Sequence, residues 1–198
     1  MDALISLWKR SWESAGFDPI VLCEDDARSH PGYEYFAERI SRFPSINPSA
    51  YERACYMRHA AMANIGGGCL LDADVMPHPR KQVVIFQNSP GNRHGWVEEK
   101  FLILEPERVP CAVVGTQEGY EEWCDILCEY DPPAPEKHVS DMIIAQAAKM
   151  PCTNLCIEYL HEGWREAAML HFSTGSFYKQ NWCPSTKADV IPQVLAKL

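Results

Sequence analysis

The sequence has no run of about 18 apolar residues, the length a membrane-spanning helix needs, so no transmembrane segment is expected. Its opening, MDALISLWKR, lacks a basic stretch followed by an apolar one, so no secretory leader is expected either. Positive charge is short: 18 Lys and Arg stand against 27 Asp and Glu, a net charge of −9. Such a chain repels phosphate backbones, so duplex nucleic acid is not the expected main partner. A small anionic substrate would need a metal ion or a local basic pocket. No C-x-x-C pair occurs among the nine cysteines, and their number is odd. Cys124/Cys128 and Cys152/Cys156 are four apart, a spacing that on a helix suits a metal pair. The alternative is free thiols in a reducing cytoplasm, the location this composition leads us to expect.

What remains is ordinary globular material. With 198 residues and 46% apolar content, the chain is long enough to bury a core as one domain, or one domain with a small lid. Leu4, Leu7, Trp8 and Trp12 repeat at helical spacing over residues 3–15, and Gly16 closes that helix. Pro19–Cys23 reads as a buried strand ending in Glu24, Asp25 and Asp26. Helices are expected over 32–43 and 48–65, the latter closed by Gly66-Gly67-Gly68. Cys69–Leu71 reads as a second strand ending in Asp72-Ala73-Asp74, and Gln82–Gln87 as a third. Residues 96–104 suit either helix or strand, and 111–114 a strand. Helices are expected over 119–130 and 139–150, strands over 152–159 and 168–172, and a helix or strap over 184–198. Helices alternating with uniformly apolar strands predict an α/β fold with a mainly parallel central sheet and helices on both faces. In such folds ligands bind at the carboxyl ends of strands, where both acidic clusters fall.

The sharpest segment runs from Arg58 to Pro77. Two carboxylates two positions apart share one cation only if a turn brings them to the same side. Hard cations such as Mg²⁺ and Mn²⁺ take oxygen ligands and accept a site completed by substrate phosphates. Arg58, eight positions before Gly66-Gly67, then an apolar strand and Asp72-Ala73-Asp74, resembles the sugar-binding segment of DXD-motif glycosyltransferases. That group includes capsular-polysaccharide enzymes, yeast mannosyltransferases and the catalytic domains of large clostridial toxins. Trp8, Trp12 and Gly16-Phe17-Asp18-Pro19-Ile20-Val21-Leu22 resemble the helix and second strand of the same family. His171-Phe172-Ser173-Thr174-Gly175 with Lys179 is similar to the His-x-Gly-Lys segment of glycogenin-like transferases. Val139-Ser140-Asp141 resembles the start of a helix that reaches donor-sugar hydroxyls, although Ser140 is equally a plain helix cap.

The resemblance implies a Rossmann-like GT-A fold and one glycosyltransferase domain over residues 1–198, without the strand that usually precedes the first helix. It implies a Mn²⁺- or Mg²⁺-dependent enzyme with a UDP- or GDP-linked sugar as donor and a glycan or other acceptor. Asp72, Asp74 and His171 would hold the metal. Asp74, Arg58 and Asp141 would serve the transfer, and Asp72, Arg58, Asp25, Gly175 and Lys179 the donor. The chain departs from the family pattern at Cys55, where an Asp is usual, and carries an extra residue before Asp72. Extra residues also lie between His171 and Gly175 and before Lys179. Two other readings remain: a non-catalytic nucleotide-sugar-binding relic of the fold, and a metal nuclease built on Asp72 and Glu98-Glu99-Lys100.

Overall fold

The computed structural model describes residues 2–83, 99–133 and 136–198. Helix α1 (Asp2–Ser14) is followed by α2 (Glu24–Arg28), α3 (Tyr33–Ile40) and α4 (Ser49–Asn64). Strands β1 (Gly67–Leu71), β2 (Val75–Pro77), β3 (Phe101–Ile103) and β4 (Ala112–Thr116) come next. Helices α5 (Gln117–Glu129) and α6 (Asp141–Ala147), strands β5 (Cys156–Glu158) and β6 (Met169–His171), and helices α7 (Thr174–Lys179) and α8 (Lys187–Leu195) complete the order. A single 3₁₀ turn, Pro184–Thr186, leads into α8. Among the described residues no helix is long and apolar enough to cross a membrane.

The chain is α/β, as the alternating pattern predicts, but the described strands do not form a large parallel sheet. They form two three-stranded sheets, β1-β4-β3 and β2-β6-β5, in which only the β5–β6 pairing is parallel. The two are stitched together where Ile103 bridges Cys152 and the Cys156 amide donates to the Leu104 carbonyl at 2.7 Å. The expected strand at 82–87 lies largely outside the described residues.

Alternation along β1, β3 and β4 divides the core. Leu70, Phe101, Ile103 and Val113 pack with α3, α4, α5 and α6 in one apolar cluster. Cys69, Leu71, Leu102 and Val114 turn the other way, toward Trp8 and Trp12 of α1 and Ile191 of α8. Period-2 placement on a strand produces this division. Trp12 fixes α1 to the second sheet, because its indole N–H donates to the Val75 carbonyl at 3.0 Å.

Pro19–Cys23 is not a strand. It has no ladder partner among the described residues, and Ile20 and Val21 stay 69% and 47% exposed. Pro19 has no N–H to give a ladder. The acidic cluster that follows opens a helix instead of ending a strand: the Cys23 amide donates to Asp26 Oδ2 at 2.7 Å, and three carboxylates meet the positive end of α2. Asp25 therefore lies exposed on α2 and takes no part in the cluster around Asp72. Helix α6 starts at Asp141 instead of 139 because Ser140 caps it, and it ends at Ala147. All nine cysteines are free thiols, and Cys124 and Cys128 are buried on α5.

The glycine run has a local cause at Gly67. It holds a φ of +86°, and an added Cβ would lie 2.6 Å from the Gln117 nitrogen and the Gly115 oxygen. Its neighbour Gly66 holds a similar φ of +98° with open space around it. Gly66→Ala should cost about 1–2 kcal/mol from backbone strain alone. Gly67→Ala should cost about 2–4 kcal/mol, because strain and a backbone clash combine. Urea unfolding of the two variants compares them directly, and equal losses would mean the clash is absent.

Candidate functional site

Three elements converge on Arg58. Helix α4 buries one face against α5 and β1, so Arg58 leaves it toward the end of β1, with its Nε held by the Cys55 carbonyl at 2.9 Å. One guanidinium nitrogen meets Asp72 Oδ1, and the other meets Asp141 Oδ2 at 2.7 Å. A planar fork does this and a point charge does not. Asp141 is 4% exposed and has both oxygens engaged within the protein. Its Oδ1 accepts from the Met142 amide at 2.8 Å, and its Oδ2 also faces His59 Nε2 at 3.2 Å. Burial alone would raise this carboxyl, but Arg58 and then His59 outweigh it and hold Asp141 below its usual value.

The Asp72–Asp74 turn is present: the Val75 amide donates to the Asp72 carbonyl at 2.9 Å, which brings both side chains to one side. Strand β2 then pairs with β6 so that Val75 lies opposite His171, and the Phe172 amide donates to the Asp74 carbonyl at 2.9 Å. By that register His171, 97 positions beyond Asp74, is carried to it, with Nε2 3.6 Å from Asp74 Oδ1. Ligand atoms of Asp72, Asp74 and His171 all lie within 4.8 Å of one another, the one such group of three among the described residues. Two carboxylates and an imidazole suit Mn²⁺, which accepts nitrogen beside oxygen, and suit Mg²⁺ less well.

Crowding shifts the titrations. Burial pushes the Asp72 carboxyl up to about 6, against the pull of Arg58 and with the help of Asp74. For His171 burial acts downward, but Cys111, Asp74 and Asp72 outweigh it and push the imidazole up to about 10.

Other residues named from the sequence lie elsewhere. Lys179 is 65% exposed in its side chain, with Nζ 3.6 Å from Glu158 rather than beside Asp74. Gly175 lies in the first turn of α7, near the Ser173 hydroxyl and Glu158. Of the residues in the nuclease reading, Lys100 Nζ is held by Glu118 and Glu122, each at 2.7 Å, and Glu98 lies outside the described residues.

Two participants escape a reading of the sequence. Lys187 is 8% exposed and places Nζ 2.6 Å from Asp74 Oδ2. Its signal is slight, one cation opening a mostly apolar tail. His59 is wholly buried among Phe101, Tyr120 and Trp123, and its Nδ1 has no partner among the described residues. It follows Arg58 directly and precedes an apolar run, so it reads as core.

A cleft of about 510 Å³ opens beside this network. Trp8, Trp12, Leu22 and Met62 line it with apolar surface, and Arg58 and Asp72 stand at its edge. Its volume suits a small-molecule ligand. No family model, no curated protein and no solved structure matches the chain.

Two predictions follow from the Arg58 network. Arg58→Ala leaves two carboxylates near one another without their shared cation and should cost about 3–5 kcal/mol in urea unfolding. Arg58→Lys should recover only part, since one ammonium cannot serve Asp72 and Asp141 together. Full recovery by Lys would mean that charge alone matters. For His59, burial holds the imidazole below its ordinary 6.5, with Arg58 assisting and Asp141 opposing. The unfolded chain then binds a proton that the folded chain refuses. Stability is full above pH 6.5 and falls as the pH drops from there toward the folded value, by up to about 1.4 kcal/mol per pH unit. His59→Gln should flatten that slope between pH 6.5 and 5, read from urea unfolding across the range, and an unchanged slope would assign it elsewhere.

Proposed function

We propose that the chain is a metal-dependent glycosyltransferase that takes a sugar from a UDP- or GDP-linked donor and passes it to a glycan or other acceptor, on a compact variant of the GT-A fold. The observation that carries this reading is the meeting of Asp72, Asp74 and His171 at one point, next to Arg58 and an apolar cleft. A bound Mn²⁺ or Mg²⁺ would neutralise charge that builds on the departing diphosphate. Asp72, Asp74 and His171 would hold that cation from one side and leave its other side to the substrate. Arg58, anchored by Asp141, would present the remaining N–H groups of its fork toward donor oxygens. The cleft between α1 and β1 would take the less polar part of the donor.

The test is a thermal-shift titration of UDP and GDP, with Mn²⁺ and with EDTA. A ligand at 100 times its dissociation constant stabilises by about 2.7 kcal/mol, a rise of roughly 5–10 °C for a domain of this size. The rise should require Mn²⁺ and should vanish in Asp74→Asn. Equal melting temperatures in all conditions would remove the reading. A metal-dependent rise without hydrolysis of any UDP- or GDP-sugar would leave a nucleotide-sugar-binding protein and not an enzyme.

A further inference from the structure

The counter-charge on Asp74 comes from Lys187, a residue that the proposed reaction does not require. A lysine with 10% of its side chain exposed must be paired to stay charged, and Asp74 Oδ2 at 2.6 Å is its carboxylate partner. The Thr174 hydroxyl, 3.4 Å from Nζ, and the Phe177 ring, with its centroid 5.7 Å away, complete its surroundings. Local sequence gives it no reason to be there. Lys187 is the first residue of α8, where the helix dipole disfavours a cation. The backbone that carries it is fixed, because the preceding 3₁₀ turn is closed by the Thr186 hydroxyl on the Cys183 carbonyl at 2.7 Å, and Ile191 and Val194 bury α8 in the core. The ammonium is therefore held at Asp74 by the fold.

The oxygens of the cluster are shared out by this arrangement. Asp74 gives Oδ2 to Lys187 and turns Oδ1 toward His171. Asp72 gives Oδ1 to Arg58. Each carboxylate keeps one oxygen for a metal, and each has half of its charge-pairing capacity already taken. A divalent cation entering beside Asp74 Oδ1 meets a like charge on the far oxygen of the same carboxylate.

We propose that Lys187 is a counter-cation built into the site, which competes with a divalent metal for Asp74 and sets how weakly the resting protein holds it. The inference rests on the metal-binding part of the function proposed above. It deepens that reading in one respect: metal occupancy becomes conditional on an anionic ligand, such as a diphosphate, that restores the missing negative charge.

The experiment is a Mn²⁺ titration of the full chain followed by electron paramagnetic resonance, which counts free metal and needs no turnover. Lys187→Met keeps the apolar stem and removes the charge, and should bind Mn²⁺ roughly tenfold or more tighter than wild type without nucleotide. Lys187→Arg keeps the charge and should bind as wild type does. Addition of UDP or GDP should tighten Mn²⁺ binding strongly in wild type and less in Lys187→Met. A folded Lys187→Met, judged by an unchanged circular dichroism spectrum and a cooperative melt, that binds Mn²⁺ no tighter than wild type overturns the proposal. If that variant does not fold, Lys187→Gln carries the same expectation and the same refutation. Tight binding by the neutral variant with no response to either nucleotide supports the role of Lys187 while removing the nucleotide-sugar reading. Absence of Mn²⁺ binding in every protein, with and without nucleotide, removes both.

Discussion

Arg58 is the constraint around which the site is organised. One guanidinium ties the middle of α4 to the end of β1 through Asp72 and to the start of α6 through Asp141. Helix α6 is far from the other two in sequence, and without Arg58 the two carboxylates would face each other across a partly buried gap. Removing such carboxylates from water is costly, and the cost is offset only if a cation meets both with good geometry. His59 completes the arrangement from beneath by facing the oxygen of Asp141 that Arg58 also uses. The network thus fixes where Asp72 stands before any ligand arrives.

From that fixed point the chain turns once and pairs once. The turn at Asp72–Asp74 redirects β1 into β2, and the β2–β6 register brings His171 alongside. A register is all-or-none on a pleated strand, since a slip by one residue would send His171 to the opposite face. The cluster is therefore as precise as the short ladder that builds it. Lys187 then adds a second cation from the end of the chain, so that Asp72 and Asp74 each carry an internal partner. The result is a pair of half-satisfied carboxylates and an imidazole beside an apolar cleft.

Much of the local structure was legible because it depends on nearest neighbours. The helical spacing of Leu7, Trp8 and Trp12, the closing Gly16, and the apolar run before Asp72 each carry their own cause, and α1, α4, β1, β4 and α5 lie close to where that pattern puts them. The convergence of Asp72, Asp74 and His171 was expected only through a resemblance to known enzymes, since spacing alone cannot join positions so far apart. Pro19–Cys23 misled for a physical reason. Its apolar residues fit a buried strand, but burial needs a neighbour to pair with, and Ile20 and Val21 remain exposed. Lys179, expected on the donor side, shows how little chain spacing says about contacts. It sits at about the right distance from His171 along the chain, yet it faces Glu158 while Lys187, eight residues later, reaches Asp74.

The sequence by itself determined the mixed α/β class, the acidic character and the turn that two carboxylates at a strand end require. These follow from composition, from local propensity, and from chemistry written within twenty consecutive residues. Tertiary structure alone decided the sheet order, the partner of Asp141, the burial of His59 and the meeting of Lys187 with Asp74. Each of these is a contact between elements whose separation along the chain carries no distance information. Strand register and helix packing, summed over two apolar clusters, select one such contact from many that the residue types would allow.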